Sequence, residues 1–307
     1  MNVKTYDTYI VSTEHDGITV ETYLKQIVQC SGRRLQKLTR AKGILLKGRP
    51  VFLQKKVKAG DSLKILVLMD QTYGVRPEEG AIVVLFEDDQ VIVLDKAAGQ
   101  LVHPTGQTAG GTLANHLAHY FQNKGILSTI RPLHRLDRDT SGCVAFAKDA
   151  RTQTELEQQL QIGTFKRTYL ALVQGVLEQE GVIDAPIGPC PGRPNRRMIS
   201  PEGDHAITHY RPLRTFPDAS LLELTLATGR THQIRVHLVH MGHPIIGDSM
   251  YGRHSSFIGR QALHASTLCF RHPRTSHMVT VNASFPVDME RVILELEKIA
   301  EEAAEIR

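Results

Sequence analysis

The residue pattern of this 307-residue chain predicts an α+β fold: a mixed, mainly antiparallel sheet domain preceded by a small helix–helix–hairpin module. Three observations carry that reading. Short apolar runs recur from residue 82 onward and are joined mostly by turns, which makes sequence neighbours antiparallel partners. Helical periodicity occurs between them, but without the regular strand–helix–strand rhythm of a parallel sheet. The first 70 residues also have a composition of their own. From Lys25 to Lys64 there are eight lysines and four arginines against a single acid, Asp61.

Taken in order, residues 1–15 read as a lead-in strand. Val20, Leu24, Ile27 and Val28 fall close to helical spacing, so residues 18–30 read as a helix that Ser31-Gly32 breaks. A second helix over residues 33–41 buries Leu35 and Leu38 and leaves Arg33, Arg34, Lys37 and Arg40 to solvent. The runs ILLKG and VFLQK form a hairpin about Lys47-Gly48-Arg49-Pro50, and SLKILVLM is a strand after the turn at Ala59-Gly60-Asp61. Residues 71–80 are polar and turn-rich and read as a linker. A second domain then spans residues 81–287. It opens on a hairpin (apolar runs at 82–86 and 91–94), continues with a Thr112-capped helix, and carries a helix from Asp149 that ends at Gly163. The strand FKRTYLALVQGVL follows. The Gly- and Pro-rich stretch at 184–204 reads as a long basic loop, and four further strands lie between residues 206 and 286. Residues 288–307 form an acidic amphipathic helix with Val292, Leu294, Leu296 and Ile299 as its apolar set.

Composition excludes several classes. No apolar run approaches the roughly 20 residues that cross a bilayer. The N-terminus has no basic start followed by an apolar core, as a secretory signal would. Cys30, Cys143, Cys190 and Cys269 lie far apart, which predicts reduced thiols in a cytoplasmic protein. The formal net charge is +5, and its concentration near the N-terminus points to a polyanionic partner. His232, His237, His240 and His243 match no metal-ligand spacing, and no phosphate-binding glycine loop is present, so neither a metal nor a nucleotide cofactor is expected.

The stretch RPLHRLDRDTSG, residues 131–142, is where chemistry is expected. Asp137 lies between Arg135 and Arg138, on a loop leading into the apolar run Cys143 to Ala147. A rigid strand is a good support for a working carboxylate. A paired arginine keeps such a group ionised and oriented while one oxygen stays available. Spacing alone leaves a surface ion-pair cluster as the alternative. Asp139 reads as a turn-capping residue, poorly placed to be the second acid of a glycosidase.

The combination HRLDRDTSG, KRTYLALVQG, TGRTHQIRVH, GHPIIGD and YG, after LDKAAGQLVHP, resembles the motifs of the pseudouridine synthases, in the branch of RluA and RluD type. The resemblance runs from about residue 18 to residue 286. Ala97-Ala98 stand where that family more usually carries a proline-containing dipeptide. The paired arginines of the second helix, the KGRP turn and the KAGD turn resemble a small RNA-binding module shared with a ribosomal small-subunit protein. By itself, that basic helix has a solvated face as its alternative reading. The resemblance implies a catalytic domain with a central cleft and a monomer that converts uridine to pseudouridine in ribosomal RNA, with transfer RNA as the alternative substrate. It implies Asp137 as the catalytic aspartate and Arg135 as the residue that replaces the flipped uridine. Tyr169 would stack on the uracil, Arg230 would pair with the aspartate, and Arg235 would support the substrate or the loop. A non-catalytic RNA-binding or assembly factor would need only the basic module.

Overall fold

A computed structural model describes residues 4–30 and 32–305. The chain divides into two compact units, Met1–Asp70 and Gln71–Arg307.

The first unit contains β1 (Tyr6–Ile10), α1 (Val20–Gln26), α2 (Gly32–Arg40), β2 (Ile44–Leu46), β3 (Arg49–Pro50) and β4 (Ser62–Leu66). Its sheet runs β1-β4-β2-β3, and every pair is antiparallel. The Thr19 hydroxyl caps α1 by accepting from the Thr22 N–H. Val20, Tyr23 and Leu24 of α1 pack with Leu35 and Leu38 of α2 over Ile44, Leu63 and Ile65 of the sheet. The expected hairpin is shorter than the sequence suggests. Arg49 and Pro50 pair with β2 and Val51 N donates to Ile44 O; the chain then leaves the sheet through a turn in which Lys55 N donates to Phe52 O. On α2, Lys37 and Arg40 are exposed and Arg34 is half-buried. The expectation for Arg33 falls on a side chain outside the described residues.

The second unit holds β5 (Val83–Glu87), β6 (Val91–Lys96), α3 (Leu113–Asn123), β7 (Arg131–Pro132), β8 (Ser141–Ala147), α4 (Ala150–Gln161), β9 (Lys166–Gln174) and β10 (Gly181–Asp184). It continues with β11 (Ile187–Cys190), β12 (Arg193–Ile199), β13 (Ile207–Phe216), β14 (Ala219–Leu226), α5 (Gln233–His240), β15 (Leu263–Arg271), β16 (Met278–Asn282) and α6 (Val287–Glu305). The large sheet has the order β10-β13-β14-β9-β15-β8-β6-β5, with β16 added to β15 and β7 to β8. Of its pairs only β15 with β8 is parallel, in line with the antiparallel sheet expected. β8 is buried along its whole length, inside the sheet between β15 and β6.

Three expectations are corrected. The 71–80 segment is a strap laid on the second unit. The Tyr73 and Thr72 carbonyls accept from Ile130 N and Thr129 Oγ1, Arg76 O accepts from Asn115 Nδ2, and Glu78 accepts from Gly111 N at 2.6 Å. The basic loop at 184–204 is largely the hairpin β11–β12. Glycine and proline mark turns, and here the turn joins two short strands whose pairing periodicity does not reveal. Helix α6 buries Met289, Val292 and Leu296 but leaves Leu294 and Ile299 exposed. It is also tied at its start, where Arg260 clasps Asp288 through two hydrogen bonds of 2.7 and 2.8 Å.

Candidate active site

Asp137 sits on the loop between β7 and β8. The loop doubles back along the strand it enters, because Arg131 and Pro132 pair with Ala147 and Phe146. Leu133 and Leu136 are buried beneath it, and Thr140 N donates to Asp137 O to close the turn. Gly142 explains the end of the motif. Its φ of 109° is open to glycine, and a Cβ there would overlap the Ala265 carbonyl oxygen where β8 and β15 run parallel. From below, the fully buried Lys96 donates to the carbonyls of Ala97 (2.8 Å), Gln100 (2.7 Å) and Arg138 (2.8 Å). Burial pushes its ammonium down to about 7; the nearby Asp139 and Asp137 carboxylates oppose that. The three carbonyls take all three of its donors and also favour the charged form. Lys96 thereby ties the 97–100 turn to the aspartate loop.

The carboxylate meets the first turn of α5. Arg235 Nη1 donates to Asp137 Oδ2 at 3.0 Å, while its Nε and Nη2 bind both oxygens of Asp248 at 2.7 and 2.9 Å. Burial works against the Arg235 charge, and the two carboxylates outweigh it and hold the guanidinium above its ordinary value. Asp248 is itself fixed by the Met250 and Tyr251 N–H groups. A planar fork between two carboxylates defines distance and angle together.

His232 precedes α5 with φ 58° and ψ 20°, in the left-handed region. For a residue with a Cβ that backbone costs on the order of 1–2 kcal/mol, a strain that tends to persist at working sites. Its Nδ1 lies 2.9 Å from the Tyr251 hydroxyl and its Nε2 lies 3.9 Å from Asp137 Oδ1. Burial lowers the His232 pKa, and Asp137 opposes that shift. The Tyr251 hydroxyl also accepts from Arg197 N at 2.7 Å, and its ring lies 5.0 Å from the guanidinium groups of both Arg196 and Arg235.

Tyr169, on β9, is 5% exposed and belongs to the main core. Burial pushes its phenol above its ordinary value, with Arg167 opposing and Asp137 adding to the rise. A phenol in that state is a proton donor and a ring surface at neutral pH, and must first lose its proton before it acts as a base. Arg135 is exposed beside the aspartate.

The placement of Arg230 corrects one expectation. It is turned away from Asp137: its Nε donates to His205 O at 3.0 Å and its Nη1 lies 3.8 Å from Asp204. The arginine on Asp137 is Arg235. Between them the chain turns through His232, and the buried Gln233 locks that turn by accepting from Arg230 N and Thr228 Oγ1. Sequence reasoning also assigned no role to His232, Asp248 or Tyr251, although all three lie in the motifs TGRTHQIRVH, GHPIIGD and YG. Of the four clustered histidines, His232, His237 and His243 have separate partners. His237 bonds Thr208 and Ala185, and His243 bonds Gln174. Among the described residues no group of three or more His, Cys, Asp or Glu is placed to hold a metal.

The chain matches the sequence model of the family described as RNA pseudouridylate synthase over residues 90–240. An RNA pseudouridine synthase of Bacillus subtilis is 39% identical over 286 residues, covering 92% of this chain and 95% of the relative. A ribosomal large subunit pseudouridine synthase D of Nitrosomonas europaea is 38% identical over 290 residues, covering 90% of this chain and 84% of the relative. Among solved structures, the human RNA pseudouridylate synthase domain containing 4 superposes with a TM-score of 0.57 at 22% identity, over 70% of this chain and 93% of that one. Human RNA pseudouridylate synthase domain containing 1 gives 0.56 at 23% identity, over 72% and 97%. These two share the fold. With a relative this similar over nearly the full length of both chains, the chain belongs to the RNA pseudouridine synthase family of isomerases.

Proposed function

We propose that this pseudouridine synthase isomerises uridines of large-subunit ribosomal RNA with Asp137 as the catalytic carboxylate, as a cytoplasmic monomer that needs no cofactor. The observation that carries the reading is the Asp137–Arg235–Asp248 array. It fixes Oδ2 of a partly exposed aspartate through a buried guanidinium and leaves Oδ1, 3.9 Å from His232 Nε2, outside that fork. The reaction breaks the glycosidic carbon–nitrogen bond, turns the uracil and forms a carbon–carbon bond to carbon 5. Nothing is oxidised and no phosphate is spent. Asp137 acts on the ring or on the ribose, as nucleophile or as base.

The target uridine must leave its stack, at a cost of roughly a few kcal/mol. Arg135, exposed beside the carboxylate, takes the vacated position, and the Tyr169 ring receives the uracil. The ribosomal target is supported by relatives named ribosomal large subunit pseudouridine synthase D, from Nitrosomonas europaea and Xanthomonas campestris. The exposed Lys37 and Arg40 of α2, with Arg34, Arg33 and the basic residues around them, contact phosphates, which suits the role of an RNA-binding module. Arg230, with its exposed guanidinium, contributes to RNA binding and not to holding Asp137.

The test is a pseudouridine map of ribosomal and transfer RNA from cells lacking this protein, complemented with wild type or with Asp137→Asn. We expect one or more large-subunit positions to lose the modification and wild type alone to restore it. Restoration by the variant would remove Asp137 from the mechanism, and lost positions confined to transfer RNA would reassign the substrate.

A further inference from the structure

The network around His232 carries a role beyond the aspartate and its arginine. The Tyr251 hydroxyl has one proton and accepts the Arg197 N–H at 2.7 Å. Its own proton then points to its other neighbour, His232 Nδ1, at 2.9 Å. With Nδ1 as acceptor, the ring proton is on Nε2. The opposite tautomer would aim a nitrogen lone pair at the Asp137 carboxylate, so both ends of the ring select the same form. His232 Nε2–H therefore faces Asp137 Oδ1 across 3.9 Å, while Arg235 occupies Oδ2. Catalytic hydrogen bonds often reach their full strength only in the complex with substrate.

We propose that His232 is a positioning residue for the reaction. Its neutral Nε2–H donor closes on Asp137 Oδ1, and its anchor, through the Tyr251 hydroxyl, is the backbone of Arg197 in the basic hairpin β11–β12. Each carboxylate oxygen then has one donor and keeps a lone pair for the reaction. The hairpin that supplies the anchor also carries Arg193, Arg196 and Arg197, a surface fitted to a phosphate backbone. RNA seated on the hairpin thus presses, through Tyr251 and His232, on the orientation of the carboxylate. The left-handed backbone of His232 is what directs the ring between Tyr251 and Asp137. The inference rests on the reading of Asp137 as the catalytic carboxylate.

The test compares His232→Gly, His232→Gln and Tyr251→Phe with wild type and Asp137→Asn, measuring kcat, KM for RNA and Tm in the full-length protein. Glycine adopts the left-handed conformation freely, so His232→Gly should keep Tm within a few degrees. Its kcat should fall about 10- to 100-fold, the range expected when a reacting group loses its orientation, with KM changed less than about 3-fold. His232→Gln, whose amide keeps a donor, should recover part of that loss, and Tyr251→Phe should fall between it and wild type. Wild-type kcat in His232→Gly overturns the inference, and so does a parallel loss of kcat and Tm that glutamine does not relieve. Turnover retained by Asp137→Asn removes the catalytic reading beneath it. A dead Asp137→Asn beside a fully active His232→Gly defeats the positioning role alone.

Discussion

Two basic regions of this protein use the same side chains in opposite ways. On α2, Lys37 and Arg40 are exposed on a helix whose apolar face is buried through Leu35 and Leu38. Around Asp137, Arg235 is 6% exposed and each of its three guanidinium nitrogens has a stated partner. The first kind of arginine contributes charge to a field and tolerates replacement. The second sets a geometry, and its loss strands a buried carboxylate. Exposed charges act additively and weaken with salt, whereas buried forks act one by one.

That contrast breaks most readily at Arg235. Arg235→Leu leaves Asp248 buried without its counter-ion, so we expect destabilisation of about 3–5 kcal/mol, read as a lower urea midpoint. Pseudouridine formation should drop with it. Arg230→Ala is the control from the same motif and should cost less than about 0.5 kcal/mol. A larger loss for Arg230 than for Arg235 would reverse the assignment made from the geometry. Next in size is Gly142→Ala, which forces a Cβ onto the Ala265 carbonyl at a positive φ. We expect roughly 2–4 kcal/mol, visible in thermal unfolding, because the atom it meets is backbone and cannot rotate away.

A third prediction concerns pH. Burial works against the Glu87 carboxylate, and hydrogen bonds from Lys148, Tyr120 and Lys124 overcome it and hold the group at about 2, below its ordinary 4.5. A folded value below the unfolded one means that the cluster's stabilisation is fully present above pH 4.5 and is lost as pH falls toward 2. Because the Lys124 partner is nearly half exposed, about 1–2 kcal/mol is expected. Urea titrations between pH 5 and pH 2 should show this slope in wild type and a flatter one in Glu87→Gln. The smallest effects belong to α2. Lys37→Ala and Arg40→Ala should each weaken RNA binding a few-fold and lower the salt slope of the affinity by about 1, with Tm unchanged. An affinity that ignores salt would remove the phosphate-contact role of that face.

Much of this was legible in the residues. Thr112 and Asp149 mark the starts of α3 and α4, because a short oxygen-bearing side chain satisfies free N–H groups at a helix start in any context. The aspartate loop was legible too, since the apolar run Cys143 to Ala147 behind Asp137 needs no tertiary information to be seen as a buried strand. The β11–β12 hairpin was not. Its prolines and glycines read as loop, and its pairing depends on register across the turn. The strap at 71–80 was misread because its bonds run mainly from backbone groups, which no side-chain pattern reports.

The sequence by itself determined the class of the fold, the positions of most helices and strands, and the motif that holds the aspartate. Those rest on local periodicity and on chain-neighbour chemistry. Only the tertiary structure decided that Arg235 and not Arg230 reaches Asp137, and that His232, Asp248 and Tyr251 stand behind them. Asp137 and Arg235 are 98 residues apart in the chain. Two arginines five residues apart look alike in sequence, and a left-handed turn at His232 followed by one turn of helix sends their side chains to different partners.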